Sequence, residues 1–304
     1  MWRMRSLNSL NFFWRFIVLR ERFGILWVRG GLGNQLFQIS ALSFFSKQLN
    51  FSPIIHPHNL RQARDEFIPQ YRNLGVQGLF NLKKQNINLS PDLEFILRCV
   101  YRVYSKYASF AIYTESKLLN SSEYSMPRLF FIQDYFQSRE YPDHLSNDSL
   151  NKLVRSLPIS NSHANSEYNC PGRVSAMLHL RLTDSHFKNN NRSRLLSLEA
   201  IMRKNQIVEK ISKLDVYSDD LPLAKELLKG FFISTLINYP EEFEKFSSST
   251  LLEKFMQYEC IVASNSTLSW WACYLRSRLY DNQSIVLADF DPKLMRHGWI
   301  SAST

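Results

Sequence analysis

The chain has 304 residues, 45% of them hydrophobic and 21% charged, with 37 Lys and Arg against 27 Asp and Glu for a net charge of +10. That balance excludes a disordered polyelectrolyte and supplies enough apolar material for two domains of ordinary size. The cysteines Cys99, Cys170, Cys260 and Cys273 lack close pairs, which argues against a disulfide frame or a zinc site and fits small apolar residues in a reducing compartment.

Residues 1–23 form a basic, aromatic-rich extension in which Arg3, Arg5, Arg15, Arg20 and Arg22 interleave with Trp2, Phe12, Phe13, Trp14 and Phe16. Its apolar run from Leu10 to Leu19 is broken by Asn11 and Arg15, too short and too charged to span a bilayer, and it has no small-residue cleavage site. A helix of this composition lies on an anionic membrane surface or packs on the first domain; both readings stay open.

A first domain is expected over residues 24–157. The β-prone Ile25–Val28, the turn Gly30-Gly31-Leu32-Gly33-Asn34-Gln35 and the helical pattern from Ile39 to Phe45 describe a strand, a glycine turn and a helix, whose leading N–H groups suit an anion. Glycines there permit positive φ and close approach of a ligand, and Asn34 and Gln35 add amides suited to hydroxyls or an oxyanion; a tight structural turn is the alternative. His56 and His58 flank Pro57 with no carboxylate or cysteine nearby, so no metal site is expected.

Residues 158–172 are polar and aperiodic and read as a linker to a second domain, 173–304. Met177–Asp184 is strand-like and places His179 and Arg181 on one face; arginine suits bidentate capture of phosphate oxygens, although a His-x-Arg is also an ordinary surface pair. Leu214–Ser218 ends in Asp219 and Asp220, whose carboxylates either meet ribose hydroxyls and a purine N–H or cap the next helix. Cys260–Ala263 leads into Ser264, Asn265, Ser266, Thr267 and Ser269 ahead of Trp270 and Trp271. Hydroxyls at a helix start cap it or form a phosphate nest, and a cap needs only one of them. Trp270, Trp271 and Trp299 are candidates for stacking on a sugar, although Trp270 and Trp271 begin a helix and at least one of them should be buried. Strands alternating with helical patterns in both halves predict an α/β protein with open parallel sheets and motifs at the carboxyl ends of strands.

Taken in order, Gly30–Gln38, His179-x-Arg181-x-x-Asp184, Tyr217–Asp220 and Ser264–Ala272 resemble the successive motifs of glycosyltransferase family 11, the α-1,2-fucosyltransferases. The resemblance runs from about residue 24 to the C-terminus. It departs at Leu182, where the family usually carries a second arginine, and at Thr183-Asp184-Ser185, where Gly-Asp-Tyr is common. The resemblance implies a GT-B-like fold, two Rossmann-like domains with parallel sheets facing across a cleft, the N-terminal one on the acceptor side and the C-terminal one binding a GDP-sugar. It also implies inverting, metal-independent transfer of L-fucose from GDP-β-L-fucose, with no further cofactor, to a hydroxyl such as O-2 of a galactose in a glycan.

The chemistry asks for charge stabilisation on the departing diphosphate and removal of a proton from the attacking hydroxyl. The resemblance assigns the first to Arg181, makes Asp184 a candidate base or a brace for Arg181, and brings Asn34 to the sugar or β-phosphate. Gly31, Gly33, Gln35, His179, Asp219, Asp220, Ser264, Asn265, Ser266, Thr267 and Ser269 follow as donor-binding residues. The acceptor is expected to be an oligosaccharide or lipid-linked glycan of bacterial polysaccharide synthesis, handled in the cytoplasm or peripherally on the inner membrane face. Asn265-Ser266-Thr267 is formally a glycosylation sequon inside the phosphate site, which favours that setting. Outside the extension Lys and Arg are scattered, so no nucleic-acid partner is expected. Two rivals are a metal-dependent transferase using Asp289-Phe290-Asp291 with another nucleotide sugar, and a non-catalytic nucleotide- or glycan-binding module, for which Leu182 is the main support.

Overall fold

In the computed structural model the chain divides into two compact units, Met1–Ser156 and Leu157–Thr304. The structure describes residues 21–56, 91–107, 111–156, 174–182, 191–229, 236–240, 248–263, 265–279, 285–288 and 290–301. The extension up to residue 20 and the linker at 158–172 lie outside the described residues.

The first unit holds strands β1 (Phe23–Trp27), β2 (Ser52–His56), β3 (Ile112–Tyr113) and β4 (Leu129–Ile132), all parallel, in the order β2-β1-β4-β3. All five residues of β1 are buried, as befits a central strand covered on both faces. Gly24 makes that cover possible: a Cβ there would sit 2.5 Å from the Phe51 ring and 2.8 Å from Phe130, which meet edge to face across it. Helix α1 (Leu32–Gln48) follows β1 and is buried over most of its length, with Leu36, Phe37 and Phe45 in the core. Helix α2 (Pro91–Tyr107) lays Leu97, Val100 and Tyr101 against β1 and β4, and Trp27 stacks on Tyr101 at 4.1 Å. Helices α3 (Glu115–Leu119), α4 (Glu140–Asp143) and α5 (Asn147–Ser156) follow among the described residues.

The second unit holds β5 (Val174–Leu180), β6 (Ile211–Ser218), β7 (Leu236–Asn238), β8 (Cys260–Ala263), β9 (Ile285–Ala288) and β10 (Ile300–Ser301). They form one parallel sheet in the order β10-β9-β8-β5-β6-β7. The chain works outward from β5 through β6 to β7, then resumes on the other side with β8, so the winding direction switches between β5 and β8. At such a point the strand ends open a crevice for a ligand. Its helices are α6 (Asn191–Lys204), α7 (Leu221–Leu227), α8 (Ser248–Met256) and α9 (Thr267–Leu279). One face of the sheet, with Ala176, Leu178, Leu214 and Val262, packs on Leu195, Leu198 and Met202 of α6.

The α/β class with two parallel sheets is as the alternating pattern predicts. Boundaries differ. β1 starts at Phe23, inside the stretch assigned to the extension; α1 starts at Leu32, so Gly33 is helical; and β5 stops at Leu180, leaving Arg181 and Leu182 beyond the strand. Among the described residues no helix is long and apolar enough to cross a membrane.

Candidate active site

Three adjacent strands of the second unit deliver the polar groups to one edge. His179 sits near the end of β5, in register with Tyr217 of β6 and Ala263 of β8. Its ring is buried against Phe255, with centroids 5.0 Å apart, and Nδ1 is hydrogen-bonded to Ser269 Oγ on α9. Burial pushes its pKa down to about 4; the Asp219 carboxylate opposes this shift and the Arg181 guanidinium adds to it. The imidazole is therefore neutral at pH 7 and offers Nε2 as its second hydrogen-bonding atom, not a charge. Behind it Tyr217 and Tyr258 share a hydroxyl contact of 2.7 Å, and Tyr258 donates to Asp215 Oδ2 at 2.8 Å.

Arg181 is the first residue beyond β5 and is exposed. Leu182 turns the other way: it is 4% exposed within the apolar cluster of α6, and its N–H donates to Asp219 Oδ1 at 2.6 Å. The position where the family resemblance leads one to expect a second arginine is thus a core position. Asp219 is exposed and ties the loop after β6 to the loop after β5. Asp220, expected as a second donor ligand, is instead the cap of α7, its Oδ1 accepting Leu223 N–H at 3.1 Å while its own N–H donates to Ser218 Oγ at 3.1 Å. Asp184 and Ser264 lie outside the described residues.

At the tip of α9, Ser266 accepts Trp270 N–H through its backbone carbonyl at 2.9 Å. Its side chain is 3% exposed, yet Oγ has no hydrogen-bond partner among the described residues. A capping serine normally spends that oxygen on an N–H of the first turn. Here the buried hydroxyl is left over beside the leading N–H groups of a 13-residue helix, a set of donors suited to an anion. Asn265 is exposed, Thr267 half-buried, and Ser269 is engaged by His179. Trp270 and Trp271 are wholly buried, which removes them as sugar-stacking residues; Trp270 Nε1 donates to Leu294 O at 2.8 Å and its ring meets Trp299 at 6.1 Å, so they anchor the helix.

In the first unit only Gly30 of the glycine turn adopts positive φ, at 79°; Gly31 precedes α1 with φ −71°, and Gly33 is buried in its first turn. Gln35, expected to grip a ligand, is completely buried and donates Nε2 to Gly30 O at 2.7 Å, so it braces the turn. Asn34 is half-buried and accepts from Gln137 Nε2 at 2.9 Å. Sequence reasoning missed Gln38, buried and bonded to both backbone groups of Arg29 at 3.1 and 2.8 Å, and with it Arg29, Tyr135 and Gln137. The one available signal was position, since Tyr135 and Gln137 lie within five residues of the end of the apolar run Leu129–Ile132. Of the acidic pair in the metal-dependent rival, Asp289 lies outside the described residues and Asp291 Oδ1 accepts Lys293 N–H at 2.9 Å, capping a short turn.

No protein-family model matches this chain, and no curated protein matches it. Among solved structures it is similar to NodZ α-1,6-fucosyltransferase of Bradyrhizobium co-crystallised with GDP, at 14% identity over 84% of this chain and 92% of that chain, with a TM-score of 0.49. It is also similar to a mutant of Arabidopsis thaliana FUT1 in complex with GDP, at 11% identity over 84% of this chain and 69% of that one, TM-score 0.46. A glycosyl transferase family 9 protein of Veillonella parvula follows at 10% identity, 92% and 86% coverage and TM-score 0.41. At these identities the chemistry of the site rests on the residues of this chain.

Proposed function

We propose that the chain is an inverting, metal-independent glycosyltransferase that moves L-fucose from GDP-β-L-fucose to a hydroxyl of a glycan, with O-2 of a galactose the first acceptor to test. One observation supports this reading above the rest: Arg181, neutral His179 and the orphaned Ser266 hydroxyl lie at the ends of adjacent strands where the sheet changes winding direction. Adjacent strands run about 5 Å apart, so a guanidinium on one and a helix tip on the next reach one diphosphate.

In this mechanism Arg181 and the amides around Ser266 and Thr267 take up the charge that develops on the departing diphosphate. Because His179 is uncharged, it positions the nucleotide by a hydrogen bond without adding to the field. Asp219 orders the loop that carries Arg181, and Asp184 remains the candidate base. The first unit is the acceptor side, and Asn34 is its candidate sugar-contacting residue. The setting we propose is the cytoplasm, with peripheral contact at an anionic membrane through the N-terminal extension.

A screen of GDP-, UDP- and TDP-sugars with mass detection of hydrolysis and transfer tests the donor, and excess chelator tests the metal. Arg181→Ala is expected to lower kcat/KM by about 100-fold or more, with an unchanged urea midpoint because the side chain is exposed. Turnover equal to wild type in that variant would refute the assignment.

A further inference from the structure

We propose that the carboxyl edge of the four-stranded sheet is a recognition site for an oxyanion carried by the acceptor glycan, a sugar carboxylate or phosphate, read by the guanidinium of Arg29. The inference rests on the first unit being the acceptor side and adds the class of acceptor.

Arg29 stands two residues past the last residue of β1, where a loop backbone would ordinarily turn to water. Instead the buried Gln38 amide accepts its N–H and donates to its carbonyl, fixing the residue from both sides. The guanidinium carbon then lies 4.4 Å from the centre of the Tyr135 ring. That cation–π contact restrains the guanidinium over the ring and leaves N–H groups to meet an oxyanion. Among the described residues no carboxylate pairs with Arg29, and its Nε is buried without a hydrogen-bond partner. A fixed cation with an unspent inward donor calls for an anion.

The partner ring is held in place at a cost. Phe136 has φ +53° although it is an aromatic residue, a strained conformation that persists only where packing enforces it. Here the packing is evident: Phe136 is 1% exposed, with Phe45 and Tyr141 at ring distances of 6.1 and 6.0 Å. The effect is to turn its two neighbours toward the glycine turn, Tyr135 beneath Arg29 and still 40% exposed, and Gln137 onto Asn34.

Because Asn34 Oδ1 accepts from Gln137 Nε2, Asn34 Nδ2 keeps its N–H groups to donate and Gln137 Oε1 is left to accept. A hydroxyl group needs that combination. The two halves adjoin at Gly30, where a Cβ would meet Asn34 Nδ2 at 2.8 Å and the Tyr135 ring at 3.4 Å. One cation beside one amide pair describes a sugar that carries both an anion and free hydroxyls.

Galactose, galacturonic acid and galactose 6-phosphate differ only at C6 and separate the two anion sources. Titrations of the full chain by ligand-observed NMR, with GDP saturating, are expected to show a charged probe binding about 10-fold tighter than galactose. The tighter of the two identifies carboxylate or phosphate. Arg29→Gln should erase that preference while leaving galactose and GDP binding unchanged, and Arg29→Lys should restore part of it; urea midpoints check folding. Equal binding of all three probes, or a loss of GDP affinity in Arg29→Gln with the preference intact, overturns the inference. Failure to transfer sugar from any donor would sink the proposed function yet leave this binding comparison standing.

Discussion

The buried, uncharged His179 makes the second unit's stability depend on pH in a way that can be calculated. Its pKa is about 4 in the fold against 6.5 in the unfolded chain, so between these values the unfolded state binds more protons. Stability from this residue is complete above pH 6.5, falls as the pH drops through the window, and is exhausted near pH 4. From pH 7.5 to pH 5 a single such group forfeits about 2 kcal/mol, taking 1.36 kcal/mol per pH unit below the unfolded value. Urea unfolding of wild type and His179→Gln across that range isolates the contribution, since other titrating groups are common to both. The wild type is expected to lose about 2 kcal/mol more than the variant. Parallel profiles would mean that the imidazole is solvated or charged, and the neutral hydrogen-bonding role assigned to it would fall.

Two further outcomes test other parts of the structure. Leu182→Ala removes a buried side chain from the α6 cluster and should cost about 2–4 kcal/mol in urea unfolding; Leu182→Arg, which introduces the second arginine that the resemblance leads one to expect, should also lower stability without raising turnover, because the side chain points into the core. Gly30→Ala forces positive φ on a residue with a Cβ and presses it against Asn34 Nδ2, so a loss of about 1–2 kcal/mol is expected by thermal melting. A neutral result would mean that the glycine turn is not held in that conformation.

The strand-end position of each motif was readable before the fold. The glycine turn, His179 with Arg181, the acidic turn after β6 and the hydroxyl-rich start of α9 each join a short apolar run to a polar break. That signal is local, and a parallel sheet converts it into strand-end position. The side chains within those motifs were harder to read. Gln35 and Gln38 stand three residues apart on one helix and are both buried amides, yet Gln35 braces the turn while Gln38 fixes Arg29. Trp270 and Trp271 are candidates for a sugar platform in a linear reading, with at least one expected to be buried, and in the fold both are core residues.

What the order of amino acids determined was the α/β class, the alternation of strands and helices, and which turns gather polar groups, because each depends on neighbours within a few positions. What tertiary structure alone decided was the task of each polar group, since hydrogen-bond partners come from distant chain. Leu182 N–H meets Asp219 across 37 residues, His179 meets Ser269 across 90, and Gln137 meets Asn34 across 103. A carboxylate, imidazole or amide becomes a ligand group, a brace or a cap according to which partner has already claimed it, and those claims are made only when the sheets assemble.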